Sequence, residues 1–455
     1  MKIFIAGICG TFMAGIAQLA KELGHEVYGC DQNIYPPMST LLESLDIAVI
    51  QGYSSELLDT HYDQIIIGNA LTRGNAIVER ILDEKLNYIS GPQWLHDNVL
   101  LNKQVIAVAG THGKTTTSSM IAWIMESAGF NPGFLIGGKP GNFDNSAKLS
   151  SSQWFIIEAD EYDCAFFDKR SKFVHYCPDI AVINNLEFDH ADIFDDLDQI
   201  KKHFHHFIRI IPSSGTLILN QDDKNISDVV NMGCWSEQTG FSAIDTLSNW
   251  YAKPSNEDYS SFSIHHNGTL RGEIYWELIG KHNMLNALAS IAACHQAGVN
   301  IENSIQALKT FIPTKRRLQL LFSHENLYFY EDFAHHPTAI EVTLEALKAK
   351  HKDMKITALI EPGSNTMRGN FHLDRLMTSF KIADRTIIYQ SGELQWHSDI
   401  LHSIPALEFF TSREELISNI LSDDLKDQVI ICMSNSGFDS IPETMRELLQ
   451  ARFVQ

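Results

Sequence analysis

Residues Gly110-Thr111-His112-Gly113-Lys114-Thr115-Thr116-Thr117 decide how this chain is read. Val105-Ile106-Ala107-Val108-Ala109 precedes them, a short apolar run rich in β-branched residues that predicts a buried strand. From Ser118 to Ala128 apolar side chains recur at helical spacing, at Met120, Ile121, Trp123, Ile124, Met125 and Ala128. Strand, glycine loop and helix in that order form the context of a phosphate-binding loop. Glycines let the backbone wrap closely around phosphate oxygens, and the N–H groups of the helix N-terminus point at them. Lys114 has the reach for the β- and γ-phosphates, and the Thr115 hydroxyl suits magnesium. Val108 stands where the usual Walker pattern has a glycine, so the loop is a shortened variant. The alternative is a glycine turn with a chance Gly-Lys-Thr; agreement of all three elements favours a nucleoside triphosphate site.

At 455 residues the chain exceeds one hydrophobic core and predicts about three domains. A formal net charge of −21 argues against nonspecific nucleic-acid binding or attraction to an acidic membrane surface. An anionic substrate must then be held by local basic and backbone groups. The seven cysteines are scattered and form no C-x-x-C pair, which predicts reduced thiols in a cytoplasmic protein, with neither a disulfide frame nor a zinc site. The chain starts directly with a strand and has no apolar run near the ~20 residues that span a bilayer, so neither a signal peptide nor membrane insertion is expected.

Residues 1–98 predict a small Rossmann-like unit. Strand 2–6 enters a loop with Gly7, Gly10, Thr11 and Gly15 and a helix to about Leu23; a second strand ends at Asp31. The spacing G-x-x-G-x-x-x-x-G is not the dinucleotide fingerprint, but a helix N-terminus here suits a diphosphate. Asp31 reads equally as a turn acid or a ligand contact. Strand Ile65-Ile66-Ile67 leads into Gly68 and Asn69, and Asn75 opens a helix; these three are candidates for a nucleotide or sugar site at the strand C-termini.

Residues 99–312 carry the phosphate loop on a mostly parallel sheet of P-loop ATPase type. Strand 154–157 ends in Glu158-Ala159-Asp160-Glu161, the usual place for a magnesium ligand; Glu158 is the candidate, with Asp160 or Glu161 supporting through water. Strand 180–183 runs into Asn184-Asn185-Leu186-Glu187-Phe188-Asp189-His190, where His190 and the acids suggest a second metal position. Residues 214–275 read as peripheral sheet. Helix-opening Asn283 and Asn286 suit either an adenine edge or a helix cap. Residues 313–455 again alternate strand and helix, beginning with the basic Lys315-Arg316-Arg317, a solvated triplet or a phosphate contact. Three polar loops follow three strands: Asp332 to Thr338 with His335 and His336; Glu361 to Arg368 with Ser364 and Asn365; and Met433 to Phe438 with Asn435. They predict one cleft, with Arg368 as its cation, for a polar ligand bearing a carboxylate.

These motifs together resemble the Mur ligase family, in order and across all three domains. They comprise the loop Gly110–Thr116, Glu158–Glu161, the Asn-x-Glu-x-Asp-His run to His190, Gly280-x-His282-Asn283 with Asn286, Arg316-Arg317, and Asp332-x-x-His335-His336-Pro337. The resemblance implies an α/β protein of three domains and an ATP- and Mg2+-dependent ligase in peptidoglycan metabolism. A carboxylate would attack the ATP γ-phosphate, and an amine would then displace phosphate from the acyl phosphate. It implies catalytic roles for Lys114, Glu158, His190, Asp332 and His336, and ATP contacts from His282, Asn283, Asn286, Arg317 and Asp332. Thr115, Glu158 and His190 would hold metal, and His335 or His336 would assist the amine. UDP-N-acetylmuramate would bind the N-terminal loops. Ser364–Met367 and Met433–Phe438 resemble the branch that adds the tripeptide L-Ala-γ-D-Glu-meso-diaminopimelate, recycled from the wall. An L-alanine-adding ligase of the same family is the alternative, and a nucleotide-gated binding protein or NAD oxidoreductase the reading from another class. Ser436 replaces an expected glycine, and no carboxylated lysine is expected: that position falls near His205, with Lys201 and Lys202 the nearest lysines.

Overall fold

The computed structural model describes residues 1–36, 38–191, 193–369, 371–396 and 407–453. Its apolar runs become strands because each is too short for a helix and is buried on both faces. Near the N-terminus the strand order is Val49–Gln51, Glu26–Asp31, Lys2–Ala6, Gln64–Ile67, Tyr88–Ser90, all parallel. The order reverses at Lys2–Ala6, so its glycine loop lies at a switch point.

The central sheet has ten strands among the described residues. Gln104–Ala109 lies between Ile180–Ile183 and Trp154–Glu158, all parallel. The phosphate loop and both acidic loops therefore leave one edge. Thr216–Asn220, expected at the periphery, is a fully buried inner strand between Ile180–Ile183 and Glu237–Ser242. The hairpin Ser261–His266/Thr269–Tyr275 does form the antiparallel edge. The helix after the loop runs Lys114–Ser127, starting four residues before the hydrophobic spacing begins, because Gly113 takes φ 81 and turns the chain straight into it.

In the third sheet Leu327–Asp332, Gln428–Met433 and Lys355–Ile360 are adjacent and parallel. Their three polar loops share one edge, as the sequence predicts. Glu361 ties two of them, its carboxylate accepting from Ser434 Oγ (2.6 Å), Phe438 N (3.0 Å) and Ser436 Oγ. Ser436 thus uses its hydroxyl where a glycine was expected.

Helix Thr11–Glu22 docks the first domain on the central one. Gln18 Nε2 donates to Ala147 O (2.7 Å), and Leu149 N donates to Glu22 (2.7 Å). Gly15, expected at the ligand loop, lies in this buried helix face, where a Cβ would meet Leu135 Cδ1 at 2.2 Å. Its job is close packing between domains. Among the described residues no helix is long and apolar enough to cross a membrane. Replacement Gly15→Val should destabilise the protein by about 1–3 kcal/mol through overpacking. Thermal unfolding checks this, and Leu135→Ala in the same chain should restore part of the loss.

Candidate active site

Asn75, Asp196, Asp223, Asn300 and Ser412 each open a helix with a side chain that accepts a first-turn N–H. Asn75, a candidate ligand contact from the sequence, is thus a helix cap. Helices Thr11–Glu22 and Lys114–Ser127 instead start on Gly10 and Gly113, without a side-chain cap. Their free first-turn donors suit a bound anion.

The loop Gly110–Gly113 is latched from below and behind. His112 N donates to Asn185 Oδ1 (2.7 Å), and Asn185 Nδ2 donates to His112 O (3.1 Å). Glu187 N donates to Thr111 Oγ1 (2.9 Å). Asn286 Oδ1 accepts from Thr117 Oγ1 (3.2 Å) and Asn184 Nδ2 (3.4 Å), and a Cβ on Gly113 would approach it to 2.6 Å. Asn286 therefore supports the loop, and Asn283 donates to Ile279 O (2.8 Å). Of the two uses left open for this pair, no side-chain cap hydrogen bond is made, and the Asn286 amide oxygen and Asn283 amide nitrogen are taken up within the protein. His282 is neutral, its pKa lowered to about 4 by burial and then by Arg317.

Acids converge on Lys114, whose Nζ donates to Gly110 O (2.7 Å) and to Glu161 Oε2 (2.8 Å). Burial pulls its pKa down, but Glu161, Asp160 and Glu158 more than offset this, so the ammonium stays charged. Glu158 Oε1 accepts from Thr115 Oγ1 (3.0 Å) while Gly137 N holds Oε2 (2.7 Å). A hydroxyl and an oriented carboxylate make an oxygen donor set that fits Mg2+. Asp160, Glu161 and His190 place ligand atoms within 4.8 Å of one another, a group able to hold a second cation. Glu161, expected only to support Glu158, is instead the partner of both Lys114 and His190 (3.0 Å). Burial lowers the His190 pKa, but the Glu161 bond and charge raise it further, for a net increase. Asp160 is held ionised despite burial, mainly by Lys172 (2.9 Å).

Lys172, which no sequence pattern singled out, is the link to the first domain. It is buried, with its Nζ 5.4 Å from the ring centroid of Phe12, in the first turn of helix Thr11–Glu22. In that domain a Cβ on Gly7 would come within 3.8 Å of Gly68 Cα, so the two glycine loops lie together, Asn69 following Gly68 in the turn. Asp31 accepts from Cys9 N (2.9 Å) and Asn33 N (3.2 Å), which is the turn-acid reading.

The third domain reaches into this site. Arg317 Nη2 lies 3.4 Å from Thr115 Oγ1, its guanidinium stacked 4.9 Å over Phe333. Arg316 points away, donating to Ser434 O and Ser436 O. Buried Asp332 accepts from Leu318 N (2.5 Å) and Ala334 N (2.7 Å), so it shapes the junction that aims Arg317. His336 Nε2 donates to Phe188 O (3.2 Å), and Thr338 Oγ1 donates to Glu187 (2.6 Å). His335, His336, Thr366 and His372 line a small recess nearby. Ser364 Oγ accepts from Met367 N (3.2 Å), and Arg368 Nε is turned onto Pro362 O (2.8 Å). Asn435 Oδ1 is buried without a partner, and the side chain of Asn365 lies outside the described residues.

Residues 2–102 match the Mur ligase family, catalytic domain; 108–294 the Mur ligase middle domain; and 316–436 the Mur ligase, glutamate ligase domain. The UDP-N-acetylmuramate–L-alanyl-γ-D-glutamyl-meso-2,6-diaminoheptandioate ligase of Escherichia coli (strain K12) is 48% identical over 448 residues, covering 98% of this chain and 97% of that protein. The chain belongs to the Mur ligase family. A crystal structure of a murein peptide ligase from Psychrobacter arcticus 273-4 is similar to this Mur ligase with a TM-score of 0.76 and 41% identity, covering 99% of this chain and 98% of that one. The UDP-N-acetylmuramate–L-alanine ligase of Geotalea uraniireducens (strain Rf4) is 30% identical, covering 99% of this chain and 98% of that protein. As a Mur ligase the protein is an ATP-dependent enzyme joining an acid to an amino acid or peptide.

Two measurements probe this geometry. Loss of a charge-assisted contact in Arg317→Ala should raise the KM for ATP roughly ten- to hundredfold. Arg316→Ala should chiefly lower thermal stability. Separately, His190 must shed a proton to ligate a metal, and its raised pKa keeps that proton on to higher pH. The concentration of Mg2+ that half-saturates activity should therefore rise as pH falls from about 8 to about 6.

Proposed function

We propose that this Mur ligase joins the amine of L-alanyl-γ-D-glutamyl-meso-diaminopimelate to the carboxylate of UDP-N-acetylmuramate, with ATP as the phosphoryl donor. The carrying observation is the identity of 48% over nearly the whole chain to a ligase named for that tripeptide, against 30% to the L-alanine ligase. The chemistry of the site supports it. Two anions, a carboxylate and a triphosphate, must meet before bond formation, which needs cations in a dry place.

In this reading the UDP-sugar diphosphate sits at the uncapped helix after Gly7 and Gly10, and ATP lies on Gly110–Thr116. Lys172 of the central domain, next to Phe12 of the first, faces the muramoyl carboxylate, while Lys114 and Arg317 face the γ-phosphate from two sides. Thr115 and Glu158 would hold one Mg2+, and Asp160, Glu161 and His190 a second. Bound there, magnesium would neutralise charge developing on the phosphoryl oxygens. The carboxylate oxygen attacks the γ-phosphorus and ADP leaves; the peptide amine then attacks the acyl carbon and phosphate departs. His335 or His336 positions that amine, and the edge carrying Ser364, Asn365, Arg368 and Asn435 takes the peptide. The domain limits that go with this reading are 1–98 for the UDP-sugar, 99–312 for ATP and 313–455 for the peptide. We place the reaction in the cytoplasm, where it would return a recycled wall peptide to the nucleotide-linked pool. Seven free cysteines accord with that compartment.

Phosphate release from ATP with UDP-N-acetylmuramate tests the assignment. Turnover is expected with the tripeptide and not with free L-alanine; turnover with L-alanine alone would overturn it.

A further inference from the structure

A second group of ligating side chains lies beside the phosphate loop, apart from Thr115, Glu158 and the His190 cluster. His112 comes from the loop, Glu187 from the segment after strand Ile180–Ile183, and His336 from the third domain. One ligand atom from each lies within 4.8 Å of the others. His336 Nδ1 and Glu187 Oε2 are 3.8 Å apart. Two imidazoles and a carboxylate around ~2.0 Å bonds would have ligand atoms about 3.3 Å apart, so a small closing movement suffices.

The state of each ring favours ligation. His336 is 1% exposed, and its Nε2–H is committed to Phe188 O at 3.2 Å. In the neutral ring this leaves a lone pair on Nδ1, which is buried with no hydrogen-bond partner. His112 Nε2 is likewise buried and unpartnered. The two rings pack with centroids 4.8 Å apart. A backbone carbonyl fixing the far nitrogen of a ligating histidine is the usual outer support of a metal site. Glu187 has its own: Thr338 Oγ1 donates to its Oε2 at 2.6 Å, and Arg375 lies 3.5 Å away.

We infer that His112, Glu187 and His336 form a binding site for a borderline transition dication of the zinc or cobalt(II) kind, distinct from the magnesium positions. Two imidazole nitrogens with a single carboxylate favour such ions over magnesium far more than the oxygen-rich Asp160, Glu161 and His190 set does. An ion held there pins the third domain to the phosphate loop and uses both nitrogens of His336, so that His335 is the histidine left to position the amine.

The test uses the full chain with excess magnesium and cobalt(II) as the probe. The expected result is one cobalt(II) per chain with visible absorption of a low-coordinate nitrogen–oxygen site, not displaced by magnesium. Outer partners alone change metal affinity about 10–100-fold, so loss of a ligand in His336→Asn or Glu187→Gln should weaken binding at least about 100-fold. His190→Asn should leave it unchanged. Because these variants also disturb a domain contact, X-ray absorption of the zinc-loaded wild-type chain gives an independent reading, with two imidazoles expected. Cobalt(II) displaced by magnesium, binding lost in His190→Asn but kept in His336→Asn, or a single-imidazole signature would each overturn the inference.

Discussion

The ion pair between Lys114 and Glu161, 2.8 Å long and nearly sealed from water, is the constraint on which the site depends. A lone buried ammonium would be strongly unfavourable, so the loop can present Lys114 only with an acid beside it. That acid also holds His190, and Asp160 beside it holds Lys172, which reaches Phe12 of the first domain. One connected charge network thus runs from the N-terminal helix to the phosphate loop. In the proposed reaction an incoming triphosphate would replace Glu161 as the counter-charge of Lys114.

The third domain completes the arrangement from the opposite side. Asp332 fixes two backbone N–H groups at the junction, and that turn separates two adjacent arginines into different tasks. Arg316 fastens the loop around Ser434 and Ser436; Arg317 crosses to Thr115. Glu361 joins two of the loops from the strand ends, which couples the proposed peptide edge to the arginine that reaches Thr115.

Much of this was legible in the sequence. Short apolar runs ending in polar loops gave the strands, and parallel topology puts such loops on one edge, so the phosphate loop, Glu158 and His190 were found together. What the sequence hid were contacts between distant segments. Gly15 looks like a loop glycine until Leu135 is packed against it, and Asn286 looks like a ligand contact until Thr117 and Asn184 occupy its amide oxygen. Lys172 belongs to no motif and gains meaning only from Asp160 and Phe12. Thr216–Asn220 looked peripheral because a five-residue run does not reveal how many strands flank it.

The central claim is that the carboxylate and the γ-phosphate meet at this network and exchange an oxygen. It is tested most directly with UDP-N-acetylmuramate carrying a heavy-oxygen label in its carboxylate, followed by mass analysis of the phosphate released during turnover. The account predicts phosphate bearing one labelled oxygen. Unlabelled phosphate released as the amide forms, with the lost carboxylate oxygen recovered in water or another leaving group, would contradict it.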